Sequence, residues 1–110
     1  MTPEEIAAKA DELSIAKGRK VYSICVDANG EQIVGFIEEP KRQAKYAALN
    51  ELAKKDVATA GEIILDACLI KEESDKRLYS MDSAHDGIVI SAAMACIKLV
   101  EVYEADLKKN

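Results

Sequence analysis

Apolar residues return at intervals of three and four along the last third of the chain: Val89, Ala92, Ala93, Cys96, Leu99, Val100, Tyr103 and Leu107. A helix places positions so spaced on one face. The stripe therefore predicts a closing helix from about Ser83 to Leu107, with Ser83 and Asp86 spaced like a capping box that uses Asp for the usual Glu. Earlier in the chain the period changes to two. Val21–Val26 and Gln32–Ile37 are runs rich in β-branched residues on either side of Asp27-Ala28-Asn29-Gly30. Asn-Gly supplies the positive φ angles of a tight turn, so a β-hairpin is predicted over about 20–38. On its second strand Ile33, Gly35 and Ile37 share one face, and Val34 and Phe36 the other. Both faces are largely apolar, which predicts a hairpin that is sandwiched by the chain or offers one face to a partner.

Between and before these lie three more helical stretches. Thr2-Pro3-Glu4-Glu5 combines a hydroxyl cap, proline at the first helical position and acids in the first turn. The helix it opens should stop at Gly18. Its apolar residues are mostly alanine, so segment 1–18 is expected to be weakly anchored and able to move. After Pro40 a helix from about Lys41 to Lys54 carries Ala44, Ala47, Ala48, Leu49 and Leu52 on one side. Asp56 then caps a helix from about Val57 whose core stripe includes Ile63, Ile64, Ala67 and Cys68. Residues 71–83 are polar and read as loop. The expected fold is α+β: an N-terminal helix, one hairpin and three helices packed on it, all in a single domain over 1–110.

Charge sharpens one part of this picture. Segment 21–40 carries Asp27, Glu31, Glu38 and Glu39 with no Lys or Arg, and segment 57–86 is also acidic. Between them, 41–56 holds Lys41, Arg42, Lys45, Lys54 and Lys55 against only Glu51 and Asp56. Lys41, Arg42 and Lys45 gather at a helix N-terminus, the positive end of its dipole, where cations are unfavourable by a few tenths of a kcal/mol. Two readings account for them. Either they pair with Glu38 and Glu39, each exposed pair contributing about 0–1 kcal/mol, or they form a docking patch for an acidic or amphipathic segment of a partner.

The remaining composition mostly excludes. A net charge of -5 and five aromatic residues argue against both a broad phosphate-binding surface and base-stacking platforms. No apolar run approaches membrane-spanning length and the N-terminus lacks a signal layout, so a cytoplasmic protein without membrane association is expected. Cys25, Cys68 and Cys96 each sit in an apolar setting and read as buried structural thiols. Asp82, His85 and Asp86 have a capping explanation, and His85 and Cys96 lie about three helical turns, roughly 16 Å, apart. The five glycines form no phosphate cradle. No catalytic, metal or cofactor site is expected, and the chain reads as no enzyme.

The stretch from Val21 to Ile70, with Pro40-Lys41-Arg42, Gly61-Glu62-Ile63-Ile64-Leu65 and the terminal Glu104-Ala105-Asp106-Leu107, resembles small proteins of phage and prophage tail-gene clusters. The family is the tail assembly chaperones of long-tailed phages, and the resemblance covers roughly residues 20–107. It implies a small, non-enzymatic, cytoplasmic protein that transiently binds a long helical tape-measure client; the domain itself is expected to self-associate. Lys41, Arg42 and Lys45, with Val34 and Phe36 on the hairpin, are then the candidate partner-binding residues. The rival readings are a structural head or tail component and a small regulatory protein-binding module.

Overall fold

The computed structural model describes residues 1–100, 102, 103 and 105–108. Helix α1 (Pro3–Lys17) starts as its sequence requires: the Thr2 hydroxyl accepts from the Glu5 N–H, and the Glu5 carboxylate accepts from the Thr2 N–H. Gly18 closes it in the left-handed conformation. Strands β1 (Val21–Ala28) and β2 (Glu31–Glu38) pair antiparallel through a two-residue turn, in which Asn29 and Gly30 both have positive φ. Helices α2 (Arg42–Ala53), α3 (Val57–Cys68) and α4 (Asp86–Cys96) follow. The fold is α+β and mostly helical, in the predicted order.

The hairpin is sandwiched. Ile24, Val26, Ile33 and Ile37 face a layer formed by α2, α3 and α4, where Ala48, Ala60, Ile64, Leu65, Ala92, Ala93 and Cys96 complete the main core. On the opposite face Val21 and Phe36 are covered by Ile6 and Ala10 of α1, with Ile70 beside them. The outer edge of β2 is also covered. Leu69 bridges to Ile37, and the Ile70 and Asp75 N–H groups donate to the Phe36 and Val34 carbonyls. Ser74 Oγ accepts from the Phe36 N–H at 3.0 Å. Backbone groups of β2 that would otherwise meet water are thereby satisfied.

Four expectations are corrected. The closing helix ends at Cys96, with one further 3-10 turn at Ile97–Leu99. Tyr103 is 81% exposed and Leu107 86% exposed, both outside regular structure. Ile97, Leu99 and Val100 still pack against the main core, and a short helix continued past them without tertiary packing would be marginal in water. Glu104, part of the terminal motif, lies outside the described residues.

The start of α4 also differs. His85 precedes it without a side-chain cap, while Asp82 caps the short 3-10 turn at Ser83–His85 by accepting from the Ala84 N–H. In α3 the buried stripe is Ala60, Gly61, Ile64, Leu65 and Cys68, leaving Ala67 exposed and Ile63 half-buried. The polar stretch 71–83 holds the 3-10 turns Lys71–Glu73 and Lys76–Tyr79, and Leu78 from the second is buried in the main core. Arg77 anchors that segment by donating to Asp75 and, at 2.8 Å, to Glu31 at the start of β2.

Candidate functional site

The basic turn begins just after Pro40, which is buried. Lys41 occupies the N-cap of α2 in extended backbone (φ -73°, ψ 159°) but its side chain cannot cap, and the first turn contains no acid. A capping side chain needs an oxygen acceptor. The N–H groups of the first turn therefore face outward beside Lys41 and Arg42, both exposed. Neither makes an ion pair among the described residues. The positive charges and the positive end of the helix dipole add at one surface spot.

Lys45, one turn further on, behaves differently. Its Nζ lies 2.9 Å from Glu39 Oε1, and the Tyr22 hydroxyl donates to Glu39 Oε2 at 2.7 Å. Arg19 donates to the Glu39 carbonyl at 2.7 Å, and the Glu39 N–H donates to the Lys20 carbonyl. Burial pushes the Glu39 carboxyl up, but the bonds from Tyr22 and Lys45 outweigh it and hold the group below the ordinary glutamate range. Glu39 is thus a structural hub that no sequence feature distinguishes from Glu38. The three cations divide between the two readings: Lys45 pairs within the chain, whereas Lys41 and Arg42 remain open to an anionic partner.

Two hollows flank this hub. One of about 290 Å³ is lined by Arg19, Glu38, Lys41, Gln43 and Cys68, with Glu39 on its wall. The other, about 450 Å³, runs between Tyr22–Cys25 of β1, Lys45 of α2 and Cys96–Leu99. Both mix charged and apolar lining, as surfaces that bind protein segments do.

The hairpin residues chosen from sequence are less available. Phe36 is only 1% exposed beneath α1, with Lys9 Nζ 5.4 Å from its ring centre. Val34 is half-buried at the margin of the same cluster. Both contact surfaces are taken by α1 while it stays docked. The anchoring of α1 is modest, resting on Ile6, Ala10 and partly buried Leu13, with Ser14 Oγ accepting from the Val21 N–H at 2.9 Å.

Elsewhere the candidate chemistries dissolve into local structure. His85 Nδ1 lies 2.8 Å from Ser80 Oγ. Among the described residues no three His, Cys, Asp or Glu side chains come together in a way that could hold a metal ion. Burial pushes the Cys96 thiol up to about 12 and also raises Cys68, so neither supplies a thiolate near neutral pH. Cys25 corrects the expectation of three buried thiols: it is exposed, on the hairpin face that α1 leaves uncovered toward the turn. Among the described residues no helix is long and apolar enough to cross a membrane.

Together these features describe a small α+β protein with a sandwiched hairpin and an uncapped, cationic helix start on its surface. No family model matches the chain, and comparison with curated proteins and with solved structures returns no match.

Proposed function

We propose that this chain is a non-enzymatic binding protein of the tail assembly chaperone kind, acting in the bacterial cytoplasm to hold a long helical tail protein before assembly. The observation that carries the reading is the open pair Lys41 and Arg42 at the uncapped start of α2, in a chain of net charge -5. An acidic or amphipathic client helix would place carboxylates against that pair and against the outward N–H groups. The adjoining mixed hollow would take apolar side chains of the same segment. The resemblance over Val21–Ile70 supports the choice of client.

The test is affinity capture from a prophage-induced lysate with the wild type and with Lys41→Glu/Arg42→Glu. The expected result is a long helical tail protein recovered by the wild type and lost by the variant, with the chain absent from finished particles. Retention of the chain in purified virions would make it a structural component instead. A host protein captured equally by both forms would support a regulatory module and remove the basic turn from the site.

A further inference from the structure

We propose that the outer edge of β1 is an interface between two copies of this chain, paired antiparallel about a two-fold axis at Cys25. The pairing needs no client, so it stands or falls separately from the chaperone reading.

The argument begins with the hairpin register. Ala28 opposes Glu31 across the two-residue turn, and backbone bonding alternates from there. Ile24, Val26 and Ala28 direct their N–H and C=O groups at β2. Ser23, Cys25 and Asp27 direct theirs outward, as does Val21, whose N–H is taken by Ser14. The same alternation on β2 puts Val34 and Phe36 outward, and their backbone groups are indeed the ones that the 69–75 segment satisfies. No segment among the described residues bonds to the outward backbone groups of residues 23–27 in the same way. Among the described residues the outward backbone groups of Ser23, Cys25 and Asp27 have no hydrogen-bond partner.

Protein sheets ordinarily protect such an edge with Lys, Pro or a bulge. Residues 22–28 contain no Lys, Arg or Pro, and their register with β2 is continuous. The far side of the edge is also roomy. Hollows of about 450 and 330 Å³ follow β1 between the strand and the flank of α4, where Ala84, Gly87, Ser91 and Ala95 are small. Ile88, Lys98 and Leu99 line the same hollows, so a strand laid beside β1 would run past their side chains as well as the small ones.

The edge selects a copy of itself as its occupant because it is self-complementary in one register. With Cys25 opposite Cys25 of the second copy, Ser23 falls opposite Asp27 and Ile24 opposite Val26. Every outward N–H and C=O of residues 23, 25 and 27 then finds a partner. The lone charge of the segment, Asp27, meets a hydroxyl donor and no like charge. Ile24 and Val26 extend the apolar layer of one copy into the other. Moving the axis to Ile24 or Val26 leaves some of these groups unpaired. The product is a four-stranded sheet built from two hairpins that are each marginal in size.

Sedimentation equilibrium of the full chain from micromolar to millimolar concentration tests the pairing, together with amide exchange on the same samples. The expected mass rises from 12.0 kDa to twice that value. Exchange at Ser23, Cys25 and Asp27 should slow by more than about tenfold as dimer forms, while Ile24 and Val26 stay protected throughout. Cys25→Lys sets two lysines directly opposite each other, their Cα atoms about 5.5 Å apart across the axis, and this like-charge pair should return the chain to monomer, whereas Cys25→Ser should remain dimeric. A wild type that stays monomeric at millimolar concentration overturns the proposal. So does a dimer in which exchange at 23, 25 and 27 ignores concentration. Should Cys25→Lys fail to fold, the exchange measurement on the wild type decides alone.

Discussion

Gly61→Ala sets two magnitudes of opposite sign against each other. In an exposed helix interior, alanine for glycine gains about 1 kcal/mol, because the glycine loses more backbone freedom on folding. Gly61, however, is buried where α3 crosses α4. A methyl group there would run into the Ala93 carbonyl, with the carbonyl carbon only 2.6 Å away. The obstacle is backbone, which cannot swing aside as a side chain would, so the two helices must part. Parting them loosens Ile64, Leu65, Ala92, Ala93 and Cys96, all buried in the main core. A gap of 0.5–1 Å forfeits roughly a quarter to a half of each dispersion contact, and overpacking of this kind costs about 1–3 kcal/mol. The close approach should win, for a net loss of about 1 kcal/mol once the gain is subtracted. At roughly 4–8 °C per kcal/mol the melting temperature should fall by about that many degrees. Gly87→Ala is the matched control: it too is a helical glycine, but nothing lies within 4 Å of the added methyl. It should gain, by less than the ~1 kcal/mol of a helix interior, because Gly87 lies in the first turn of α4. Thermal and urea melts of both variants provide the comparison. If Gly61→Ala stabilises as Gly87→Ala does, the α3–α4 contact yields freely and its tightness does not organise the core.

Thiol titration should find one cysteine that reacts at once, Cys25, while Cys68 and Cys96 react only on the timescale of unfolding; a second fast thiol would refute the packing of α3 or α4. Acid should unmake the carboxylate anchors. Hydrogen bonds from Arg77 hold Asp75 and Glu31 below the ordinary carboxylate range, and those from Tyr22 and Lys45 lower Glu39 despite its burial. Groups with lowered folded-state pKa values contribute stability that is present above about pH 4 and lost as pH falls through the folded values. Stability should hold between about pH 7 and 5 and then decline. Arg77→Met should flatten that decline, and an unchanged acid limb would show that the Arg77 bonds do not form.

What could be read from sequence was what neighbours in the chain decide. Thr2 through Glu5, Asn29-Gly30 and Asp56 through Thr59 each complete their hydrogen bonds within a few residues, and all three formed as expected. The misreadings depend on distant partners. Leu78 looked like loop because its neighbours are polar, yet it is buried against Gly35, whose missing side chain makes room for it. Arg77 holds Glu31 from 46 positions away, with no local sign of doing so. Tyr103 and Leu107 kept the helical spacing, but periodicity states which residues could share a face and not whether a surface exists to receive them.

One segment contradicts local rules and nevertheless folds as a helix: the start of α2. Lys41 stands where Ser, Thr, Asp or Asn would cap, and Arg42 follows it at the positive end of the dipole. Choices that oppose the local preference, with no compensating ion pair among the described residues, are expected where a sequence serves binding rather than stability. Lys41→Asp should therefore improve the fold. It supplies a capping carboxylate and removes an opposed charge, together about 1–2 kcal/mol, or a rise of several degrees in melting temperature. The same change removes half of the open cationic pair and should weaken capture of the helical client. A higher melting temperature with undiminished capture would show that the basic turn is not the docking surface. An unchanged melting temperature would show instead that the first turn of α2 already has its N–H groups satisfied by solvent, and that its cations cost the fold nothing.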